Sequence, residues 1–544
     1  MQVPNKVRRG WSSVLIGVVM LGVARPAEAE TGGTKVPMGI LAPRGADGEP
    51  RQVRAETWDT WGEARVRGIR ATTGHVQGAK GESLDPGGWV ATRLVAGGRY
   101  QVTPQLRFEL ELEALNGQIA GDTTVLGTAL TSRPFPVARD GAQDAKRVLP
   151  RKALVAWTSD VGLLVLGAQT FSWGTGMLVN DGAGDPTFGD AWQGNVVARL
   201  LFATRPLDEA GSSPLLRSMA VFLGADWVLR DDNASVYDGD RAFAGVFGVR
   251  AQHGEDTFGL LLAGRAQTDR EDQLRPDGKR AKTSVLVLDS HVKTAWPIGA
   301  TGRLQMEAEG ALISGRSTRL WSDATWQDSA EVRQLGGVGR VRWDEDDLRL
   351  TAQLEGGYAS GDNNPRDEVA RTFTMHTDHN VGLVLFEHLL PLLTARGVDR
   401  LADPALMAQA PPGTRFAINP GSVQNAVYAH PSVRYRPVRP LDLRLGYLFA
   451  APAADVLDAY QTGIRGGFPA SYGGQVQNRG AYGHEVDARA TWEFVLPSAV
   501  RLRVGSEGGV LLPGAAFAGV PGLRTEGGGR RTVWLSRATL SLYW

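Results

Sequence analysis

Alternation between apolar and polar residues runs through most of the chain and is clearest in the segment Gln105–Asn116. Five apolar residues, from Leu106 to Ala114, alternate there with four charged residues. A period of two residues is typical of a β-strand with one apolar and one polar face, whereas a helix would mix both kinds around its circumference. The segment is therefore predicted to be a strand.

The same pattern recurs along the chain and predicts 18 strands. Short turns and long polar connections alternate between them, as in an outer-membrane barrel with turns in the periplasm and loops outside. The predicted strands cover residues 57–70, 89–102, 105–116, 148–158, 161–173, 195–206, 217–230, 242–253, 257–268, 284–296, 301–314, 333–344, 347–360, 422–436, 441–452, 482–495, 499–511 and 531–544. An even number of strands is expected of a closed bacterial barrel.

The predicted fold is all-β: a single-chain antiparallel transmembrane β-barrel of about 18 strands with long extracellular loops. A further apolar segment, Asn380–Phe386, would place the later turns on the wrong side, so it is assigned to a partly helical loop at 361–421. Helices are expected there over 387–396 and 398–408. A soluble β-sandwich is the alternative; the charged, Gly-rich polar face and the alternating C-terminal strand that ends at Trp544 favour the barrel.

The cost of placing charge in lipid decides which face points inward. A charged side chain on the lipid face of a barrel costs about 2–4 kcal/mol at the midplane, so reversing the strand at Gln105 would cost on the order of 10 kcal/mol. The charged faces must therefore line the lumen. Many aromatic residues then fall near strand ends, where aromatic belts are expected. They are Trp58, Trp61, Trp89, Tyr100, Trp157, Trp173, Trp227, Trp296, Trp343, Tyr447, Trp492 and Trp544.

The N-terminus predicts export. Basic residues precede an apolar stretch that ends in Ala27–Ala29, a typical cleavage site, so residues 1–29 are interpreted as a signal peptide. A periplasmic extension (30–56) and the barrel (57–544) are expected to follow, in the outer membrane of a Gram-negative cell. The chain has no cysteine and a net charge of +1, so neither disulfides nor a nucleic-acid-binding field is expected.

Arginine dominates the basic residues on the predicted inward faces, and arginine suits planar recognition of carboxylates and phosphates. Two interpretations stay open: an ion-pair ladder that braces the wall, or an electropositive constriction for an anionic polymer or solute. The predicted pore-lining residues are Arg65, Arg67, Arg93, Arg99, Arg107, Glu109, Glu111, Arg340, Arg349, Glu355, Arg444, Glu485, Asp487, Arg489, Arg501 and Arg503.

The C-terminal third carries a series of motifs in a family-like order. They are Gly357–Asp362 at the end of a strand, Phe373, His379–Gly382, Asn425, His484–Asp487 and Leu512–Gly514. Over about residues 350–514 this order resembles the alginate-export family of outer-membrane porins; the N-terminal half shows only general barrel patterning. The resemblance implies an 18-stranded barrel that secretes an anionic polysaccharide.

The resemblance also implies a selectivity path and a gate. The path would fall on the inward positions Arg349, Arg444, Arg489 and Arg503. The loop Gly361–Gly421 would close over the pore, with Asp362, Phe373 and His379 as its characteristic residues.

The leading functional hypothesis is an outer-membrane conduit that exports an anionic polymer, with polysaccharide the first candidate. The alternatives are a structural barrel that anchors a surface or motility complex, and a general diffusion porin. An enzyme is not expected, because no Gly-x-Ser-x-Gly, His-Glu-x-x-His or P-loop motif occurs. Expected partners are outer-membrane lipid, the barrel-assembly machinery through the strand ending at Trp544, and periplasmic export or motility components.

No cofactor or metal is expected. The acidic runs Asp181–Asp190 and Asp231–Asp240 carry enough carboxylates to attract Ca²⁺, but neither has the EF-hand spacing. His376 and His379 lie close in sequence, and such a pair without a third ligand is more often a polar loop feature than a metal site.

Overall fold

A computed structural model describes most of the chain from Ala55 to Trp544. The predicted signal peptide and nearly all of the predicted periplasmic extension lie outside the described residues. The ranges that are not described are 1–54, 79–80, 123, 127–134, 137–146, 209–212, 271–278, 320–328, 365–366, 404–420, 467, 498–499 and 524–528.

All 18 predicted strands are present and form one wall. In chain order they are β1 Thr57–Thr72, β2 Gly88–Gln101, β3 Leu106–Gly121, β4 Val148–Ser159, β5 Gly162–Thr170, β6 Val196–Thr204, β7 Ala220–Arg230, β8 Arg241–His253, β9 Asp256–Thr268, β10 Lys282–Ile298, β11 Gly302–Ser317, β12 Ala330–Glu345, β13 Leu350–Ala359, β14 Ala426–Tyr435, β15 Leu441–Ala451, β16 Gly483–Val495, β17 Arg501–Pro513 and β18 Val533–Tyr543.

The wall closes because its first and last strands pair. Each strand pairs with its chain neighbours in antiparallel fashion, and β1 also pairs with β18 over ten residue pairs, from Glu63↔Tyr543 to Thr72↔Trp534. Closure satisfies the backbone hydrogen bonds that a sheet edge would expose to lipid. Three two-residue strands among the described residues are not strands of the barrel wall: Val369–Ala370 pairs in parallel with the loop end of β12, and Val125–Leu126 pairs with Phe135–Pro136 in the β3–β4 loop.

The two faces of the wall are assigned as predicted. On β3, Leu110 is 52% exposed on the outside, whereas Glu111 is 6% exposed and points inward. Large apolar side chains are exposed in the same alternating manner around the outside, from Val66 on β1 to Leu540 on β18. This apolar exterior on a closed sheet defines a barrel that spans the outer membrane as a multi-pass protein.

Three of the predicted belt aromatics do not face lipid. Trp61 and Trp173 point into the lumen, where their indole N–H groups donate to Glu111 and Asp289, at 2.8 and 3.0 Å. Trp89 is buried in a small apolar cluster of β1 and β2. Nearness to a strand end does not by itself place an aromatic in the belt, because alternation still decides the face. Trp58, Trp157 and Trp227 are exposed on the outside, as expected for belt residues.

The connections alternate as predicted between short turns at the end with both described termini and long loops at the other. The helices all lie in connections: α1 Pro214–Arg217 between β6 and β7, α2 Leu390–Ala402 in the β13–β14 loop, and α3 Ala459–Ile464 in the β15–β16 loop. Within the described residues, no helix is long and apolar enough to cross a membrane.

The facing of β3 gives a stability prediction. Replacing Leu110, in the body of the strand, by arginine should destabilise the barrel by about 2–4 kcal/mol, because the charge would face the hydrocarbon core. The matched change Val148→Arg, at the loop end of β4, should lose only about 0–1 kcal/mol because the side chain reaches the interface. Urea unfolding in lipid vesicles measures both, and equal losses would contradict the assigned depth.

Candidate functional site

Two loops fold back into the lumen and occupy part of it. The first inward loop is residues 171–195, between β5 and β6. The second inward loop is the described part of residues 360–425, between β13 and β14. The first loop is predicted from sequence only as a long polar connection, so its inward position is a finding of the structure.

Asp190, near the end of the first inward loop, is held by three arginines from the wall. Its carboxylate lies 3.0 Å from Arg65, 2.9 Å from Arg67 and 2.8 Å from Arg537. These arginines stand on β1 and β18, the two strands that close the barrel. Three charge-assisted contacts to one buried carboxylate fix this part of the loop against the seam.

Asp185 anchors the same loop further round the barrel. Arg444 on β15 and Arg489 on β16 contact it at 2.6 and 3.3 Å. Both guanidinium groups also donate to the main-chain oxygen of Pro186, at 2.8 and 3.0 Å. Two of the predicted pore-lining arginines therefore converge on one turn of the loop rather than standing free in the lumen.

The loop backbone is satisfied by polar side chains of the early strands. Arg93 on β2 donates to the carbonyls of Gly182 and Ala191, at 3.2 and 3.1 Å. Asn116 on β3 donates to the carbonyl of Trp192 at 3.0 Å. Buried carbonyls need such donors, so the polar inner face of the wall replaces the water that an external loop would have.

On the far side of the lumen, β10 and β11 hold the start of the loop. The carboxylate of Asp289 accepts from the Trp173 indole, and the carboxylate of Glu309 accepts from the Thr175 hydroxyl at 2.6 Å. Phe171 lies next to Arg199, whose guanidinium carbon is 4.3 Å from the ring centroid. The first inward loop is thus tied to strands on opposite sides of the barrel and crosses the lumen.

The second inward loop carries a buried apolar segment. A π-helical turn, Leu385–Leu389, leads directly into α2, and most of its side chains are buried among the loops and the wall. Glu485 on β16 accepts hydrogen bonds from the backbone N–H groups of Leu383, Val384 and Leu385, at 2.5, 2.7 and 2.8 Å. A wall carboxylate therefore supplies the acceptor that the start of a helical segment needs.

The predicted helices over 387–396 and 398–408 are one helical run in the structure, and the part of the second prediction beyond Asp403 lies outside the described residues. The assignment of Asn380–Phe386 to a loop agrees with the structure, which buries Val381, Leu383 and Phe386. The apolar character of this segment is explained by burial in the lumen instead of by a place in the wall.

The three residues singled out in the gate loop have different environments. Phe373 is fully buried against Gly336 of β12, where a Cβ atom would come within 2.2 Å of its ring. His379 lies 3.2 Å from the Tyr428 hydroxyl and 3.4 Å from Glu355. Asp362 accepts from the backbone N–H groups of Asn364 and Arg371, and burial raises the pKa of this carboxyl. Their role as a gate stays a prediction.

Asp378 joins the two loops. Its carboxylate accepts from the backbone N–H groups of Trp192, Gln193 and Gly194, at 2.9, 3.1 and 2.7 Å. His376 adds a second link, since its backbone N–H donates to the carbonyl of Met177 at 2.7 Å. The loops therefore form one connected body inside the barrel, which the wall grips from several sides.

Most other predicted pore-lining residues also face the lumen in pairs. Arg99 lies 3.3 Å from Glu109, and Arg340 lies 2.5 Å from Glu355. Arg503 lies 3.1 Å from Glu493. Of the remaining predicted residues, Glu111 and Asp487 are buried. The guanidinium carbon of Arg501 lies 5.8 Å from the centroid of the Tyr543 ring. Arg107 is partly buried near the turn end of β3.

Arg349 is the exception among the predicted pore-lining residues. It lies in the turn between β12 and β13, is exposed, and donates to the carbonyl of Pro437 in the next turn at 2.6 Å. Its backbone is left-handed, with φ 52°, so the strand begins only at Leu350. The prediction that Arg349 belongs to a selectivity path inside the lumen is corrected accordingly.

The acidic runs that could attract calcium are used for other contacts. Asp185 and Asp190 bind arginines, and in the second run Asp231 pairs with Arg265. Asp240 accepts from the backbone N–H groups of Ser235 and Arg270. In the part of the chain that the structure describes, no group of three or more His, Asp or Glu residues is arranged to hold a metal ion.

The fold and lumen define the class: a transmembrane β-barrel of 18 strands whose passage is narrowed by two inward loops. No protein-family model matches the chain, and no curated protein matches its sequence. The alginate-export resemblance therefore stays a prediction.

Several solved Pseudomonas aeruginosa outer-membrane proteins are similar in structure. OpdK crystallised with vanillate has 10% identity, a TM-score of 0.47, and coverage of 89% of this chain and 98% of its own. OprD has 10% sequence identity to this chain and a TM-score of 0.46, and the match covers 91% of this chain and 96% of OprD. OccK5 has 8% sequence identity to this chain and a TM-score of 0.42, and the match covers 89% of this chain and 98% of OccK5. Such distant likeness assigns no substrate to this chain.

The link between the loops can be tested at Asp378. Removing its carboxylate in Asp378→Ala leaves three buried N–H groups of the first loop without their acceptor, which should cost about 1–3 kcal/mol locally. Amide hydrogen exchange over residues 190–195 should speed up by roughly tenfold to a hundredfold. Mass spectrometry of peptides from that segment measures the change, and Asp367→Ala, in an exposed turn of the second loop, is the control. Unchanged exchange would show that the two loops are not coupled.

Proposed function

We propose that this barrel is a passive conduit for anionic solutes across the outer membrane. The observation that carries the proposal is an arginine wall, formed by Arg65, Arg67, Arg444, Arg489, Arg503 and Arg537 on β15–β18 and β1. Most of these residues contact the first inward loop inside the lumen, and guanidinium groups are suited to bind the carboxylate or phosphate groups of a passing solute.

Strand register arranges the arginine wall in successive rows. Arg444, Arg489, Glu507 and Arg537 are cross-strand neighbours in one row. Arg503 and Arg65 flank Ser541 in a second row, four residues nearer the turn end on β17. Four residues of a strand span roughly 13 Å, so an anion that leaves one row could bind to the next. Rows of moderate affinity support conduction, because each site must release what it binds.

The carboxylates beside these arginines support selectivity that the first loop controls. Asp185 and Asp190 neutralise part of the wall, and both are on the first inward loop. A passing carboxylate or phosphate would compete with these side chains for the same guanidinium groups. This explains how an ion-pair ladder and an anion path can be the same set of residues, the two interpretations left open by the sequence.

For the cargo we propose an extended anionic polysaccharide, as the family resemblance implies. A narrow passage that the first loop crosses would admit such a chain one residue at a time. This finer proposal rests on the resemblance and on the arginine rows. Addition of a polyuronate to the periplasmic side should interrupt the current in single-channel recordings, while an uncharged glucan of the same length should not; equal interruption by both would contradict a charge-selected polymer.

Ion selectivity tests the conduit itself. Arg444→Ala/Arg489→Ala should lower the anion preference in planar bilayers, because two positive charges leave the constriction. Asp185→Asn should raise the anion preference, because it removes a negative charge beside the same two arginines while leaving them in place. The reversal potential in a salt gradient measures both effects.

The control for these variants is Arg349→Ala, which removes an arginine from the exposed turn and should leave the reversal potential unchanged. Cation preference in the wild-type barrel, or an equal effect of Arg349→Ala, would contradict the arginine wall as the selectivity element. Circular dichroism and heat-modifiable gel migration check that each variant is folded.

The second candidate is a plugged structural barrel that anchors a surface or motility complex. The buried apolar segment of the second inward loop favours it, since Leu383, Leu392 and Leu393 are less than 2% exposed and pack within the loops and wall. A wild-type barrel that inserts into bilayers without conducting, and that co-purifies with stable partners, would support this function. Steady conductance without partners would exclude it.

A further inference from the structure

The lipid-facing side of β5–β10 contains an apolar groove that the lumen does not explain. Its volume is about 820 Å³, and its outward-facing lining includes Leu166, Leu200, Trp227 and Phe243. Trp227 and Phe243 stack with ring centroids 6.4 Å apart and form one edge. Barrel exteriors are normally covered by large apolar side chains, so a groove in this face is a local departure.

Strand register explains how the groove forms. Ala225, Gly245 and Gly264 are outward-facing cross-strand neighbours on β7, β8 and β9, between Leu200 on β6 and Leu286 on β10. A Cβ atom added at Gly245 or at Gly264 would meet no atom within 4 Å. The surface is therefore recessed at these positions because they lack side chains, and the groove is open toward the membrane.

Four basic residues, called the basic row below, lie beside the groove: three are nearer the loop end of the strands than the groove floor, and the fourth, Arg333, shares the register row of Gly264. Arg241 on β8 and Lys282 on β10 flank Thr268 in one register row, one outward position beyond Phe243 and Ser284. Arg316 on β11 is the neighbour of Ser284, and Arg333 on β12 is the neighbour of Ser314. All four basic side chains are exposed. Glu331 is the carboxylate beside them and binds Arg333 at 2.7 Å.

Among the described residues, the basic row has no counterpart on the outer face of β13–β15 and β17. At the same level on β13–β15 and β17, the outward positions are Tyr358, Val427, Phe449 and Leu512, all exposed and none of them basic. Because the long loops mark the extracellular side, the basic row lies at the headgroup level of the outer leaflet.

We propose that the groove and the basic row together bind a phosphorylated glycolipid of the outer leaflet, of the lipid A type. An acyl chain would lie on Gly245 and Gly264, against Trp227 and Phe243, and the headgroup phosphates would contact Arg241, Lys282 and Arg316. Arg241, Lys282 and Arg316 lie on strands β8 to β11, three strand spacings apart, about 14 Å, which is wider than one phosphate. This width favours a headgroup with two phosphates over a phospholipid with one.

Native mass spectrometry of the detergent-solubilised full barrel tests the proposal with three probes: diphosphoryl lipid A, phosphatidylglycerol and phosphatidylcholine. The wild-type barrel should bind lipid A at a lower lipid concentration than it binds phosphatidylglycerol or phosphatidylcholine. Arg241→Ala/Lys282→Ala/Arg316→Ala should weaken lipid A binding by roughly tenfold or more, since each basic residue at a membrane surface contributes to anionic lipid binding. Gly245→Leu/Gly264→Leu should weaken binding as well, by filling the groove.

Matched controls separate this site from general lipid contact. Arg436→Ala/Arg439→Ala removes exposed basic residues at the turn end, and Gly339→Leu adds a side chain to an open lipid-facing position on β12. Both should retain lipid A like wild type. Equal retention of phosphatidylcholine, or unchanged binding in both test variants, would overturn the proposal. It would also be overturned if filling the groove changed only the oligomeric state, which would make the groove a contact between copies.

Discussion

The pairing of wall arginines with loop carboxylates is the interaction on which the interior of this barrel depends. A wall of 18 strands encloses more space than its own side chains fill, so loops enter the lumen. A loop that enters brings main-chain polar groups away from bulk water, and each needs a partner. Arg444 and Arg489, which donate to the carbonyl of Pro186, and Glu485, which accepts from the backbone N–H groups of the second loop, meet that need from the wall side.

This pairing links stability and transport in the same residues. Removing one partner of a buried ion pair leaves an uncompensated charge and is strongly destabilising, whereas an isosteric neutral replacement preserves packing. Asp190 holds three arginines, so its loss would disturb the seam between β1 and β18 as well as the passage. Asp185 lies against β15 and β16, away from that seam, and is therefore the cleaner position at which to vary charge.

The sequence predicts the wall far better than the contents of the lumen. Period-two alternation and the parity of turns and loops are local properties, so they give all 18 strands and the inward face of Glu111. The partners of the inward loops lie far apart in sequence: Arg67 and Asp190 are 123 residues apart. No periodicity marks such a contact. Contrary to prediction, Trp173 points into the lumen and Arg349 lies in an exposed turn, because position near a strand end does not fix the environment of a side chain.

The two faces of one strand have different neighbours and are constrained separately, as β8 shows. Its inward residue Val246 packs in an apolar cluster near Trp173, while the adjacent outward residue Gly245 leaves space open to lipid. Glycine lowers the stability of a strand and has no side chain to pack against lipid. Gly245 and Gly264 are neighbours on the adjacent strands β8 and β9 and face outward, so contacts in the lumen do not explain why both are glycine. A ligand on the outer surface does, because only the absence of both side chains makes room for a chain to lie across the sheet beneath Arg241 and Lys282.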